Sequence, residues 1–257
     1  MSAHRIFILA AAGALCAAPV SSAAPANAAQ NRPEPPAKVA AGNGAPVLVE
    51  LFLSQACNRC PAAAALLPEI AARDGVVVLS WHVDYWNMTD SPNGQWADPF
   101  SSPEYTKRQK RYNANIRKRG SVYTPQMVVD GASETVGSSD EKISALITDA
   151  AQNRNAAPVV AERRDGSLQF TVGASADGGN AYLVTFKKTA TTNITSGANA
   201  GEAFNEVNVV TGMRRLGLVR RIGAELTINV PKSGEGCALI VQAPKQKNIV
   251  AAAYCPV

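Results

Sequence analysis

The stretch VLVELFLSQACNRCPAAAALL, residues 47–67, places the tightest constraint on how this chain folds. A short apolar run leads into Cys57-Asn58-Arg59-Cys60-Pro61 and then into a series of helix formers. Strand, paired cysteines and helix in that order require a sheet for the strand and a layer for the helix to pack on. Two cysteines so spaced are a redox pair, half of a zinc site, or a staple across a turn.

The first residues change how these cysteines are read. Arg5 precedes an apolar stretch over residues 6–15, and small residues follow up to Ala26-Asn27-Ala28, a pattern that predicts an export signal over residues 1–28. About ten apolar residues are too few for a membrane span, which takes about 20, so no stable membrane insertion is expected once the signal is removed. Leu15 stands before Cys16 where lipidation would need a small residue. Export implies a periplasmic or secreted protein, and outside the cytoplasm thiols oxidise and stay oxidised. With Cys16 removed, Cys57, Cys60, Cys237 and Cys255 remain as two sequence-separated pairs. That density is far below a disulfide scaffold, so a hydrophobic core must carry the stability.

Residues 29–45 are rich in Pro, Gly and Ala and read as a flexible linker. From there strands alternate with helices: strands at 47–53, 76–83 and 126–129, helices after Cys60, around 105–116 and at 139–151. This predicts an α/β domain over residues 46–154 with strands buried on both faces. Beyond 155 the chain breaks into short β-branched segments between Gly, Asn, Asp and Ser clusters, which predicts a small all-β sandwich-like domain over 155–257. The net charge is +5. Basic residues crowd between Lys107 and Arg119, but Tyr105, Gln109, Tyr112 and Ile116 interleave at helical spacing, so they form the solvent face of an amphipathic helix. No nucleic-acid partner is expected.

A helix beginning near Cys57 would set that sulfur against unpaired N–H groups and the positive end of the helix dipole, which favour the thiolate. Arg59 adds a positive neighbour. Cys57 is then the nucleophile, and Cys60, one turn on and less exposed, the resolving thiol. Glu50, on the preceding strand, is a candidate buried carboxylate that relays protons to the resolving thiol if its register turns it inward. His82 and Asp84, at the end of the second strand, are either proton donors and acceptors for the cysteines or a hydrogen-bonded pair that fixes the Tyr85-Trp86 loop. Cys237 and Cys255 would face each other across a hairpin turning at 245–247, and a disulfide closing that loop stabilises by about 3 kcal/mol.

Thr124-Pro125 lies just before the short strand at 126–129, the position where a thioredoxin-like fold carries a cis-proline against its active-site disulfide. Together, VELFLSQACNRCP, HVDYWN, DPFSSPEYTKRQKRY, VYTPQMVVDG and SGANAGEAFNEVNVVTGMRRLG resemble the secreted thioredoxin-like proteins grouped as domain-of-unknown-function family 1223. The resemblance runs from about residue 46 to the C-terminus. It implies a thioredoxin-like α/β domain with a β appendage, a redox-capable CxxC and a role for Pro125, and it brings no defined substrate. Cys237 and Cys255 lie outside the pattern.

Three functions fit these residues. The leading one is an exported thiol–disulfide oxidoreductase that needs no cofactor and acts on protein thiols or disulfides with a separate redox partner. The second is a Cu(I) metallochaperone using Cys57, Cys60 and His82 as ligands. The third is a binding module in which the CxxC disulfide is only structural.

Overall fold

The computed structural model describes Met1, residues 45–231 and residues 234–256. The expected export signal and nearly all of the linker lie outside these residues. The first described element is strand β1 (Val47–Leu53), every residue of which is buried; helix α1 (Pro61–Ala71), β2 (Val76–His82), α2 (Pro103–Tyr112), β3 (Gln126–Val129), β4 (Ser133–Val136) and α3 (Asp140–Asn153) follow. Ser102 caps α2 by accepting from the Glu104 N–H, and a π-helical turn, Asn113–Arg117, extends that helix. Seven further strands follow: β5 (Val159–Arg164), β6 (Ser167–Val172), β7 (Gly179–Asn193), β8 (Ala203–Val219), β9 (Ala224–Asn229), β10 (Glu235–Gln242) and β11 (Ile249–Tyr254).

The expectation of a thioredoxin-like α/β domain followed by a separate β sandwich is overturned. The described residues are mostly β, 42% strand and 20% helix, and their main sheet has eight strands in the order β11-β10-β7-β8-β2-β1-β3-β4. Strands from both halves of the sequence therefore share one mixed sheet. The join is β2 against β8, parallel, with Ser80 opposite Val209. A strand buried on both faces cannot leave a polar edge bare, and β8 supplies the partner for the second edge of β2. The segments that read as several short strands are largely one long hairpin, β7 with β8, about 50 Å from end to end at the usual rise per residue. Only β5, β6 and β9 form a separate three-stranded sheet.

Alternation along β1 divides the core. Val47, Val49, Leu51 and Leu53 pack with α1, α3 and both CxxC cysteines, whereas Leu48 and Phe52 face Tyr105 and Tyr112 of α2. A third cluster joins the three-stranded sheet to β7, β10 and β11. Within it Cys237 and Cys255 form a disulfide, with Cα atoms 5.2 Å apart, and β10 pairs with β11 so that Ala238 faces Tyr254 and Leu239 faces Ala253.

Candidate functional site

Residues 54–60 leave the end of β1 as a series of turns. Helix α1 starts at Pro61 with Cys60 as its N-cap, so Cys57 lies ahead of the helix rather than within its first turn. Cys57 and Cys60 are free thiols. The Cys57 thiol is lowered from 9.0 to about 6, foremost by a hydrogen bond from the Cys60 thiol; burial opposes this, and the Thr124 side chain and the backbone N–H groups of Arg59 and Cys60 add to it. Arg59 thus contributes its backbone N–H, while its side chain is exposed. Cys60 moves the other way, raised by burial and by its partner sulfur. The pair is asymmetric, with one sulfur suited to carry the negative charge and the other to keep its proton.

The Thr124–Pro125 peptide bond is cis, and the Cys57 thiol donates to the Thr124 carbonyl at 3.8 Å. The Trp86 indole N–H donates to Thr124 Oγ1 at 2.8 Å. That leaves the Thr124 hydroxyl proton free to turn towards sulfur, consistent with its acidifying effect. Cys57, Cys60, Thr124 and Pro125 therefore form one group.

Both sulfurs are buried, Cys57 at 1% exposure and Cys60 at 0%. The sequence expectation of an open Cys57 is corrected: a groove of about 340 Å³, lined by Ala56, Asn58, Trp86, Trp96, Gly197 and Ala198, passes over the residues flanking it. Gly197 is required there. Its φ is +82°, and a side chain would meet Trp96 Cβ at 2.7 Å.

The other expected residues are distributed differently. His82 Nδ1 lies 2.7 Å from Asp98 Oδ2, and Nε2 lies 3.2 Å from Glu206 Oε1 but off the hydrogen-bond direction, making that second contact an ion pair only. His82 and Asp84 are not partners: Asp84 accepts from Thr106 Oγ1 at 2.5 Å, anchoring the loop to α2. Nor does His82 join the sulfurs, and among the described residues no three His, Cys, Asp or Glu side chains converge to hold a metal. Glu50 faces α2, bound to Arg108, because Leu51 takes the cysteine side. It is no relay to Cys60.

Four further residues, to which the sequence alone assigns no role, hold the cysteine turn. The Gln55 N–H donates to Asp98 Oδ2 at 2.8 Å and its side-chain amide to Glu206 Oε2 at 2.8 Å, while Asn199 Nδ2 donates to the carbonyls of Gln55 (2.7 Å) and Cys57 (3.0 Å). Gln55, Asp98, Asn199 and Glu206 thereby tie the cysteine turn to the loop after β2 and to the tip of the β7–β8 hairpin. Their signal was available: Gln55, Asp98, and Asn199 with Glu206 stand in three of the five quoted motifs.

The cluster makes His82 sensitive to pH. Burial alone would lower its pKa, but the Glu206 and Asp98 carboxylates override that and raise it from 6.5 to about 10. A raised value means that the protonated form favours folding. Its contribution is complete below about pH 6.5, declines as pH rises, and is gone above about 10. Measured relative to His82→Gln, the unfolding free energy should fall between neutral pH and pH 10 by up to about 1.4 kcal/mol per pH unit, the opposite slope from Cys57 being common to both proteins and cancelling in the difference. Urea titrations across that range check it, and an unchanged slope in the variant refutes the charged state of His82.

Residues 48–242 match the family described as protein of unknown function (DUF1223). The chain belongs to that family. Among solved structures, this DUF1223 chain is similar to the crystal structure of protein AGR_C_4864 from Agrobacterium tumefaciens, with 26% identity, a TM-score of 0.69, and coverage of 81% of this chain and 93% of that one. HBP35 of Porphyromonas gingivalis is similar in fold, with 15% identity, a TM-score of 0.55, and coverage of 82% and 74%. No curated protein matches.

Proposed function

We propose that this DUF1223 protein is an exported thiol–disulfide oxidoreductase working through Cys57 and Cys60. The observation that carries the reading is two adjacent free thiols packed against Thr124, with the Cys57 thiol donating to the Thr124 carbonyl at 3.8 Å; the opposed directions of their acidities, Cys57 lowered and Cys60 raised, agree with it. The Cys57 thiolate attacks a substrate disulfide, forming a mixed disulfide and releasing one substrate thiolate. Cys60 then gives up its proton and attacks Cys57 sulfur, releasing the second substrate thiolate. The protein is oxidised by two electrons and the substrate is reduced. Because Cys57 is buried, the substrate enters by the groove over Ala56 and Asn58, and Trp86 lifts from Thr124 to admit it.

The burial of both sulfurs favours one other reading, a binding module in which the CxxC is a structural staple. One experiment separates the two. Reduced protein is treated with oxidised glutathione and analysed by mass spectrometry, alongside a thiolate absorbance titration. The oxidoreductase reading expects a glutathione adduct that persists on Cys57 in Cys60→Ser, and a wild-type titration midpoint near 6 that moves upward in Thr124→Val. An unreactive pair with its first midpoint in the ordinary thiol range, about 8.5, leaves the staple.

A further inference from the structure

On the face of β1 opposite the cysteines, a cavity of about 770 Å³ opens between α2, the β7–β8 hairpin and the turn Pro244–Gln246. Its size is that of a small-molecule site. Trp81 lines it with no solvent exposure, and the Trp81 indole N–H has no hydrogen-bond partner among the described residues. A buried donor left unpaired costs about 1–3 kcal/mol, which calls for an acceptor the chain does not supply. Beside it, Arg108 gives no free charge, since its guanidinium is bound to Glu50.

The rim is cationic. Lys107 and Arg111 come from α2, Arg215 from β8 and Lys245 from the turn, and none of the four forms an ion pair among the described residues. The only carboxylate in the lining is Glu104. Arg215 is held in place by Asn180 Oδ1, at 3.2 Å from Nε and 2.8 Å from Nη2. Lys245 and Gln246 have φ of +61° and +55°, two successive non-glycine residues in the left-handed region. Such strain persists only where the surroundings hold it, and it collects at ligand sites. Here Asn115 Nδ2 donates to both their carbonyls, and Gln246 Nε2 donates to the Arg108 carbonyl at 2.7 Å. Bringing like charges together from three segments on a strained turn does nothing for folding, but it prepares a place for an anion.

From the orphaned indole N–H, the cationic rim and the Tyr182 and Met213 walls, we propose that this cavity binds an aromatic anion: a flat ring bearing a phosphoryl or carboxylate group. The anionic group meets the rim cations, and an acceptor on the ligand reaches the Trp81 N–H, sealed from solvent in the unliganded chain, when the lining side chains part around it. The inference is independent of the thiol reading, because the cavity touches neither cysteine.

The test uses phenyl phosphate as probe and the full mature chain, labelled with ¹⁵N, with the Trp81 indole resonance assigned through Trp81→Phe. The Trp81 N–H signal should shift and saturate with a Kd below about 1 mM, whereas phenol and inorganic phosphate should bind at least about tenfold more weakly. Arg111→Glu/Lys245→Glu, both exposed positions, should weaken phenyl phosphate at least about tenfold with an unchanged melting curve. Cys57→Ser should bind as wild type. No saturating shift, equal binding of phenol, or undiminished affinity in the charge-reversed variant overturns the proposal.

Discussion

Cys57→Ser should lower the rate of exchange with oxidised glutathione at pH 7 by at least about a hundredfold, while Cys60→Ser should keep the first step and stop at the mixed disulfide. The ratio follows from thiolate populations. A thiol lowered to about 6 is about nine-tenths ionised at pH 7, and one held above 9 is no more than about one-hundredth ionised. Removing Cys57 leaves only Cys60, whose proton is retained chiefly because burial penalises its anion, and that penalty does not depend on Cys57. The serine hydroxyl cannot substitute, since it stays protonated without a base beside it. Stopped-flow exchange on the two variants, with unfolding curves as controls, measures the effect. A Cys57→Ser protein within tenfold of wild type would move the nucleophile elsewhere and end the proposed mechanism.

How far the residues announced their site depended on the range of the interaction involved. β1 and β3 were legible to the residue, because a run of buried apolar side chains between turn formers has few other places to go. The pairing of Cys237 with Cys255 was legible from hairpin arithmetic, which is local in sequence. The sheet order was not. Nothing within β2 or β8 declares that Ser80 will sit beside Val209, so an alternating first half and a β-rich second half read as two domains instead of one sheet. Glu50 shows the same limit at one residue: its register follows from Leu51, but its partner Arg108 lies 58 positions away, inside what reads as a solvent-facing basic helix. His82 stands out in the sequence but its partners do not, since its carboxylates, Asp98 and Glu206, lie in a loop and on a strand from the other half. The cysteine turn was visible. The hairpin tip that holds it, through Asn199 and Glu206, became visible only in three dimensions.

Breaking the Glu50–Arg108 pair should be the most destabilising change on the α2 face of β1. Glu50 is fully buried and Arg108 is 5% exposed; the carboxylate accepts from Arg108 Nε at 2.7 Å, from Nη2 at 3.0 Å and from the Tyr112 hydroxyl at 2.5 Å. Arg108 Nη1 also donates to Gln242 Oε1 at 3.1 Å, so the cluster links β1, α2 and β10. Burial alone would lower the guanidinium pKa, and the neighbouring carboxylate reverses this, keeping the ionised form. Truncating one partner strands the other as a buried, uncompensated charge, at a cost of about 3–5 kcal/mol for Arg108→Met or Glu50→Leu alone. The double variant removes both charges together and should cost well under the sum of the two, a coupling that urea unfolding of all four proteins reads directly. Single changes costing under about 1 kcal/mol, or strict additivity, would show that the pair is solvated in solution. The thiolate titration supplies an independent check on the same side chain. In a folded Glu50→Gln protein the Cys57 midpoint should stay near 6, because Glu50 faces α2 while both sulfurs pack on the other side of β1; a shift in that midpoint would return Glu50 to the chemistry of the cysteines.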